Sequence, residues 1–379
     1  MSSNNIIKIS AAGSGKTWDI CHDALQYTAE TKRKVLITTY TNRGADSIRN
    51  EIRNQNMGVL SSYVVIKTWF EFLLSDLIRP YQAAMHGIGI NEVKSFDFSQ
   101  MYGHGGINYN AKGTKKRYVT ESHLINANEA SEFVLELNRL SSDRVFRRLE
   151  AIYDRIYFDE VQDLSGYDID IIRYLIDSRI AVTCCGDNKQ ATYRTHNAKK
   201  NKGLTGANIW MFFSDLEKQN KVTIQKNLNT RRFNCQICSF ANKVFPVGDT
   251  ISTIMTVETE HDGVFLIASD DVDTYYNHYH PIVLRYDART VVPTYRTINF
   301  GACKGETFDR VLIYPNGPLK NFVLKNKALS SPEKYYVAVT RPRYSVGIVL
   351  DKLPKSVAGF METKIILNER ELRCWKYIV

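Results

Sequence analysis

A glycine-rich segment near the amino terminus carries the residue types that bind phosphate groups. It reads Ser10-Ala11-Ala12-Gly13-Ser14-Gly15-Lys16-Thr17, and it separates an apolar run at residues 6–9 from a stretch of helical character at residues 18–28. Backbone N–H groups at the start of a helix point at bound phosphate, and the glycines permit its close approach. In this pattern Lys16 reaches the β- and γ-phosphates and Thr17 offers its hydroxyl to Mg²⁺. The segment predicts a loop that binds ATP and Mg²⁺ through residues 12–17, although Ser10 stands where the pattern has glycine.

Two acidic residues follow an apolar strand in the middle of the chain. Asp159 and Glu160 come directly after Ile156-Tyr157-Phe158. Such a pair at a strand end more often marks a solvated turn, but a phosphate loop upstream gives it a chemical partner. We expect Asp159 to hold Mg²⁺, directly or through water, and Glu160 to orient and deprotonate the attacking water. The two segments together predict hydrolysis of ATP.

The elements that must position these residues alternate between strand and helix. Strands are predicted at residues 34–38, 63–66, 156–158 and 180–185, with helices at 43–53 and 169–176. The alternation predicts an α/β fold with a parallel sheet covered on both faces. Residues 75–150 change in character and predict a small helical insertion. Further strands near 264–268, 281–284, 294–300, 311–314 and 346–350 predict a second α/β unit, with domains at 1–215 and 216–379.

Segments in both halves of the chain resemble the motifs of superfamily-one helicases, and the UvrD/Rep-like branch is the most similar. Asp159-Glu160-Val161-Gln162-Asp163 resembles its DExQD box, and residues 186–193 resemble GDxxQSIY. Other similar segments follow in the family's order, at residues 39–45, 68–72, 232 with 241–242, 304–308 and 336–343. The resemblance implies two RecA-like P-loop NTPase domains with parallel sheets and with ATP in the cleft between them. It also implies a compact form, because about 55 residues between positions 242 and 297 are too few for the relatives' large accessory domain.

The resemblance assigns further residues to the nucleotide. Gln190 would sense the γ-phosphate, and Arg232 and Arg341 of the second domain would act as arginine fingers that neutralise transition-state charge. The alternative for each arginine is a surface charge or a salt bridge between domains. Arg231 stands where the relatives have a base-stacking tyrosine, and a guanidinium plane can also stack. The segment at residues 304–308 is expected to add two nucleotide contacts, Gly305 and Glu306.

Aromatic and polar residues in the same segments are expected to bind nucleic acid. Aromatic rings stack on bases of any sequence, which suits a protein that steps along a strand. The candidate rings, each of which could equally belong to the core, are Tyr40, Trp69, Phe70 and Tyr193. The expected phosphate contacts are Thr41, Asn42, Arg43 and Thr68. A basic cluster at residues 112–117 is either a solvated loop or an additional grip on the strand.

Three departures from the family's pattern bear on specificity and coupling. The chain begins a few residues before its first strand, so the adenine-reading glutamine that precedes the loop in relatives has no counterpart, and selectivity for adenine stays open. Thr195 and His196 stand where the relatives have a base-stacking tryptophan. Gly301 replaces a histidine before the segment at 304–308. Coupling of nucleic-acid binding to hydrolysis is therefore expected to differ from that of the relatives.

Composition limits the partners and the compartment. The net charge of +10 favours a polyanion, and nucleic acid is the commonest. Seven scattered cysteines do not form a disulfide framework, and we expect a reducing, cytoplasmic setting. Cys235 and Cys238 have metal-ligand spacing but no second pair, so we interpret them as one buried helix face. No apolar run is long enough to span a membrane, and no secretory signal is visible.

Two functions fit these features. The first is an ATP-dependent DNA helicase or translocase, 3′ to 5′ on single-stranded DNA, with RNA the less favoured strand. The polarity comes from the resemblance alone. The second is a nucleic-acid-sensing ATPase switch that regulates a protein partner such as a nuclease, in phage defence or repair, with little unwinding of its own.

Overall fold

The computed structural model describes residues 4–99, 110–192, 200–204, 206–367 and 369–379. The chain divides into two compact units. The first unit comprises Met1–Ile9 and Lys16–Lys226, and the second comprises Ser10–Gly15 and Asn227–Val379. The helix that contains Leu216 packs in the core of the first unit. Each unit is built around a mainly parallel sheet with helices, which confirms the predicted α/β fold class.

The first unit contains a six-stranded sheet and most of the helices. Its strands are β1 (Ile6–Ser10), β2 (Val35–Thr39), β3 (Val64–Thr68), β4 (Ser95–Asp97), β5 (Leu124–Asn126), β6 (Arg155–Phe158), β7 (Ala181–Gly186) and β8 (Thr223–Asn227). Its α-helices are α1 (Lys16–Thr31), α2 (Asn42–Gln55), α3 (Trp69–Phe72), α4 (Lys115–Tyr118), α5 (Ala130–Leu140), α6 (Arg144–Ile152), α7 (Tyr167–Ile176) and α8 (Ile209–Lys218). A π-helix, Leu73–Ile78, continues α3.

The order of strands in the main sheet is β3-β2-β6-β7-β1-β8. β2 pairs in parallel with β3 and β6, and β7 pairs in parallel with β6 and β1. Alternate residues of the strands face opposite sides: Leu36 and Phe158 pack in one apolar cluster, whereas Ile37 and Tyr157 pack in another. Since both faces are buried, the strands are almost continuously apolar, as the sequence predicted.

The insertion carries the short parallel pair β4–β5 and the helices α4 to α6. Part of the basic cluster at residues 112–117 forms α4, and three of its four basic side chains have acidic partners. Arg117 contacts Glu129 and Glu132, at 3.0 and 2.7 Å. Lys112 lies 3.4 Å from Glu132, and Lys115 forms an ion pair with Glu92. These ion pairs neutralise much of the charge that the cluster would offer to nucleic acid.

The second unit contains a seven-stranded sheet and a small parallel pair. Its strands are β9 (Asn229–Thr230), β10 (Ser252–Thr253), β11 (Gly263–Ala268), β12 (Ile282–Arg285), β13 (Thr297–Asn299), β14 (Phe308–Tyr314), β15 (Pro342–Leu350), β16 (Phe360–Leu367) and β17 (Arg370–Tyr377). Its helices are α9 (Cys235–Val244), α10 (Val272–Tyr279), α11 (Gly317–Lys325) and α12 (Glu333–Val339). β9 pairs with β10, and the large sheet has the order β13-β12-β14-β15-β11-β17-β16.

Two features of the second unit differ from the predictions. Strands β16 and β17 form an antiparallel hairpin, and β17 pairs antiparallel with β11, so this sheet is mixed rather than wholly parallel. Cys235 and Cys238 do lie on one helix, but only Cys238 is buried, with its thiol donating to the Ile251 carbonyl. Cys235 is exposed, so the prediction of one buried face is wrong for that residue.

Candidate active site

The strand order of the first unit brings its candidate catalytic residues to the carboxyl-terminal edge of the main sheet. β6, β7 and β1 are neighbours and run in parallel, so their carboxyl ends lie side by side. Helix α1, which begins at Lys16, comes after β1, the acid pair follows β6, and Asp187 follows β7 directly. Segments far apart in the sequence therefore meet for a topological reason.

The glycine-rich segment has the backbone of a phosphate loop. Gly13 and Gly15 have φ angles of 72° and 96°, which other residues adopt only with strain, and the Ser14 N–H donates to the Ala11 carbonyl at 3.2 Å. Lys16 begins α1, whose first-turn N–H groups have no partner inside the helix. Among the described residues, the buried Ser14 hydroxyl finds no hydrogen-bond partner. A buried polar atom without a partner suits a loop that closes around an anion.

Thr17 and Asp159 meet as the predicted Mg²⁺ ligands require. The Thr17 hydroxyl donates to Asp159 Oδ2 at 3.1 Å, and the Asp159 carboxyl is almost fully buried. Burial raises the pKa of Asp159 to about 6, Glu160 adds to the effect, and Lys16 and the Thr17 hydroxyl oppose it. A buried carboxylate beside a hydroxyl gives the hard oxygen ligands that Mg²⁺ takes, with phosphates and waters completing its shell. The residues present therefore fit the ion.

Glu160 has an unusual backbone. Its φ of 58° places it in the left-handed region, at the start of a 3₁₀ turn, Val161–Asp163. A non-glycine residue in this region costs on the order of 1–3 kcal/mol, and such strain concentrates at functional sites. The Glu160 carboxylate accepts a hydrogen bond from Gln162 Nε2. The sequence placed Gln162 in a motif but gave it no role.

Gln190 is held in place through Asp187. Its Nε2 donates to Asp187 Oδ2 at 2.8 Å, and its side chain is buried. The other carboxylate oxygen of Asp187 accepts from the Lys189 N–H at 2.9 Å. The structure thus places the predicted γ-phosphate sensor at the same sheet edge as Lys16, Asp159 and Glu160.

The second unit brings its two predicted arginine fingers together around Thr340. Arg232 donates to the Thr340 carbonyl at 3.1 Å. Arg341 is 1% exposed, and it donates to the carbonyls of Val337 and Glu306 at 2.9 and 3.2 Å. Backbone carbonyls accept from two nitrogens of this buried guanidinium, which lowers the cost of placing its charge in the protein interior.

Contacts within the second unit, to which Ser10–Gly15 belongs, explain why position 13 is glycine. The Arg231 N–H donates to the Gly13 carbonyl at 2.9 Å. A Cβ atom on Gly13 would lie 2.5 Å from the Cβ of Arg232 and 2.7 Å from the Thr230 hydroxyl. Arg231 is exposed, as is Gly305, which has a φ of 88°.

The ends of β2 and β3 carry the predicted nucleic-acid residues. The Thr41 hydroxyl caps α2 by accepting from the Gly44 N–H at 3.0 Å, and the buried Thr68 hydroxyl caps α3 by accepting from the Glu71 N–H at 3.2 Å. Asn42 and Arg43 are exposed in the first turn of α2. Tyr193 lies outside the described residues.

Trp69 belongs to the core, which is one of the two alternatives that the sequence left open for this ring. Its side chain is 1% exposed and packs against Phe72 and Phe158. Its Nε1 donates to Asp168 Oδ1 at 3.1 Å. A ring covered on all sides by the protein offers no face to a base.

A half-buried aromatic cluster stands beside Trp69 at the same edge. We define it as Tyr40, Phe70, Phe96 and Phe98. Phe70 lies 6.2 Å from Tyr40 and 5.0 Å from each of Phe96 and Phe98, measured between ring centroids. Sequence reasoning missed Phe96 and Phe98, which come from the insertion. The sequence pattern that could have identified these two rings is the alternation Ser-Phe-Asp-Phe-Ser at residues 95–99. In an extended segment this alternation puts both rings on one side.

Residues 90–205 match the family model of the UvrD/REP helicase N-terminal domain. This stretch of the chain is therefore similar to a UvrD/REP helicase N-terminal domain. The match covers the insertion from residue 90 onward together with Asp159, Glu160 and Gln190, and it confirms the resemblance that the motifs indicated. No curated protein matches the chain by sequence.

Two solved helicase structures are similar to the chain at low sequence identity. Arterivirus nonstructural protein 10 (helicase) is 14% identical with a TM-score of 0.47, covering 91% of this chain and 59% of that one. The complex of an arterivirus nonstructural protein 10 with DNA is 13% identical with a TM-score of 0.45, covering 93% and 61%. This chain therefore spans about three fifths of the length of those helicases.

None of the helices in the described ranges has the length and apolar character needed to cross a membrane.

Proposed function

We propose that the chain is an ATP-driven motor of the helicase or translocase type that acts on single-stranded DNA. The observation that carries the proposal is the contact between the Thr17 hydroxyl and the buried Asp159 carboxylate, 3.1 Å apart. A phosphate loop and an acid box that meet in this way are the recurring parts of a P-loop NTPase. The match of residues 90–205 to a helicase domain supports a motor acting on nucleic acid.

The reaction is attack of water on the γ-phosphate of ATP. Glu160 orients this water and takes its proton, and Lys16 stabilises the negative charge on the β- and γ-phosphates. Thr17 and Asp159 hold Mg²⁺, which supplies neutralisation of phosphate charge when it is bound. Gln190 contacts the γ-phosphate and so distinguishes ATP from ADP. Ala12, Gly13, Ser14 and Gly15 supply the loop that surrounds the phosphates.

The arginines of the second unit complete the proposal. Arg232 and Arg341 stabilise charge on the transferred phosphoryl group, and Arg231, Gly305 and Glu306 contact the nucleotide. The motif resemblance supports these roles. Both fingers already hold hydrogen bonds, at Thr340 and at the Val337 and Glu306 carbonyls. For Arg341, at 1% exposure, reaching a phosphate requires it to exchange carbonyl partners for phosphate oxygens.

The nucleic-acid strand is proposed to run along the ends of β2 and β3. The aromatic cluster stacks on bases, which requires no particular sequence, and Thr41, Asn42, Arg43 and Thr68 meet the phosphates. The exposed Asn42 and Arg43 are directly accessible, whereas the Thr41 and Thr68 hydroxyls also cap helices. Movement from 3′ to 5′ rests on the motif resemblance.

The decisive experiment is ATP hydrolysis by the purified chain with single-stranded DNA, with RNA and with neither. We expect a many-fold stimulation by DNA. Lys16→Ala should abolish hydrolysis, because the loop loses its charge on the phosphates. Glu160→Gln should bind ATP but turn it over slower by about 10²–10⁴-fold, the usual contribution of a general base.

The outcomes separate the functions that the sequence left open. Near-normal turnover by Lys16→Ala would overturn the assignment of the loop. Hydrolysis that is indifferent to DNA and RNA would favour a switch that acts through a protein partner such as a nuclease. A strand-displacement assay with both overhang polarities tests the proposed direction.

A further inference from the structure

A buried glutamine lies between two segments of the active site. Gln162 is 0% exposed, and both the nitrogen and the oxygen of its side-chain amide have hydrogen-bond partners. Its Nε2 donates to the Glu160 carboxylate, and its Oε1 accepts from the Asp187 N–H at 3.2 Å. Only one orientation of the amide satisfies both partners, because a backbone N–H requires an acceptor and an ionised carboxylate requires a donor. The side chain therefore joins the segment after β6 to the segment after β7.

The connection continues from Asp187 to Gln190. One Asp187 oxygen accepts from Gln190 Nε2 at 2.8 Å, and the other accepts from the Lys189 N–H at 2.9 Å. A chain of hydrogen bonds thus runs from Glu160 through Gln162 and Asp187 to Gln190. Buried polar groups that satisfy one another in this way hold a single arrangement, since breaking one bond leaves a desolvated group without a partner.

Gly186 makes room for this arrangement. A Cβ atom at this position would lie 2.2 Å from Gln162 Oε1 and 3.2 Å from Val161 Cγ1. No side chain fits there while Gln162 keeps its present conformation. The glycine thus has a steric role in addition to ending β7.

We propose that Gln162 is a positioning residue that couples Gln190 to Glu160. The left-handed backbone of Glu160 does not by itself fix the direction of its carboxylate, and the hydrogen bond from Gln162 Nε2 helps to hold it. The Gln162 side chain is in turn held by the N–H of Asp187. Gln190 stabilises the segment that contains Asp187 by donating to the Asp187 carboxylate. Glu160 is aligned for water activation when this segment is in place, and displacement of Gln190 releases it. The inference rests on the proposed roles of Glu160 and Gln190.

The test compares two variants that break the same contact in different ways. Gln162→Met keeps the length of the side chain and removes both hydrogen bonds. Gly186→Ala keeps Gln162 but displaces its amide by steric contact. We expect each to lower kcat by on the order of 10- to 100-fold, as loss of an orienting partner does, with the affinity for a fluorescent ATP analogue unchanged. The double variant should lose little more than either single variant, because both act through one contact.

Gln82→Met is a matched control within the same unit. Gln82 is also buried, and its amide also has two backbone partners, the Arg79 carbonyl at 3.0 Å and the Val93 N–H at 2.8 Å. It lies in the insertion, and both of these partners belong to the insertion as well. We expect this variant to lose thermal stability but to keep wild-type kcat.

The outcomes distinguish this inference from the proposed function. Wild-type kcat in Gln162→Met, with Glu160→Gln inactive, would refute the coupling and leave the proposed function standing. A raised KM with unchanged kcat would show a binding role and also refute it. Full turnover in Glu160→Gln would instead refute the role of the base. Should Gln162→Met fail to fold, Gly186→Ala alone decides, with kcat loss supporting the inference and wild-type kcat overturning it.

Discussion

The substitution Trp69→Phe tests whether Trp69 is a core residue or a contact to nucleic acid. The substitution keeps an aromatic ring at a position that is 1% exposed, and it removes the indole N–H that donates to Asp168 at 3.1 Å. Asp168 is itself fully buried and keeps two other donors, the Ser131 hydroxyl and the Ser165 N–H. The first unit should therefore lose stability, while the surface that meets a strand stays unchanged.

The expected loss follows from two contributions. A hydrogen bond to a charged acceptor is worth about 1.5–3 kcal/mol, and the smaller ring leaves unfilled volume that costs about 1–2 kcal/mol more. The sum is roughly 2.5–5 kcal/mol. At about 2–4 °C per kcal/mol for a unit of this size, the melting temperature should fall by about 5–20 °C.

Phe70→Ala is the comparison, since Phe70 is half-buried and adjacent in sequence. It should lower affinity for a fluorescent single-stranded oligonucleotide by about 1–3 kcal/mol, the value of one base–aromatic stack. Thermal unfolding followed by circular dichroism and binding followed by anisotropy give both quantities for each variant. Native melting with lost DNA affinity in Trp69→Phe would refute the core assignment. Native affinity in Phe70→Ala would remove the aromatic cluster from the strand path.

Two further predictions concern stability. Burial, with Arg310, Lys376 and His278 adding, lowers the pKa of His261 to about 3, and its Nε2 pairs with the Tyr275 hydroxyl at 2.8 Å. The unfolded chain binds a proton at this histidine near pH 6.5, whereas the folded chain does not. The free energy of unfolding should therefore fall as the pH drops from about 6.5 toward 3, by up to about 1.4 kcal/mol per pH unit, and the unfolding midpoint should fall with it. His261→Asn should flatten this profile. Gly13→Ala should destabilise the chain more than Gly15→Ala, since both strain a positive φ but only the first collides, 2.5 Å from Arg232 Cβ. Equal melting temperatures for the two alanine variants would contradict that steric reasoning.

The sheet edge could be predicted from sequence because its causes are local. A strand, a glycine turn and a helix follow one another at residues 6–31, and parallel strands then place Asp159 and Gln190 at the same edge without further information. Motif spacing added the chemistry of each position. Neither step requires knowing which side chains touch.

The misses all depend on contacts between distant residues. The sequence shows that Trp69 is aromatic but not whether its ring is buried. Its packing against Phe158 and its hydrogen bond to Asp168 place it in the core. The hairpin of β16 and β17 alternates polar and apolar residues as any half-exposed strand does, so its antiparallel pairing with β11 has no sequence signal. Most of the charge of the basic cluster at residues 112–117 is neutralised by acids such as Glu92 and Glu132, and a linear sequence does not reveal these pairings.

The position of β6 in the sheet gives a physical route from nucleotide to strand. β6 lies between β7, which leads to Gln190, and β2, which leads to Tyr40 and the first turn of α2. At its carboxyl end the Asp159 N–H donates to the Thr38 carbonyl at 2.8 Å, so the residue that holds Mg²⁺ in our proposal is bonded to the backbone that supports the aromatic cluster. In the motor that we propose, a change in the acid box when ATP is bound or hydrolysed would act on the end of β2 through this hydrogen bond. Such a motor requires a link of this kind, and the strand order supplies one within the first unit.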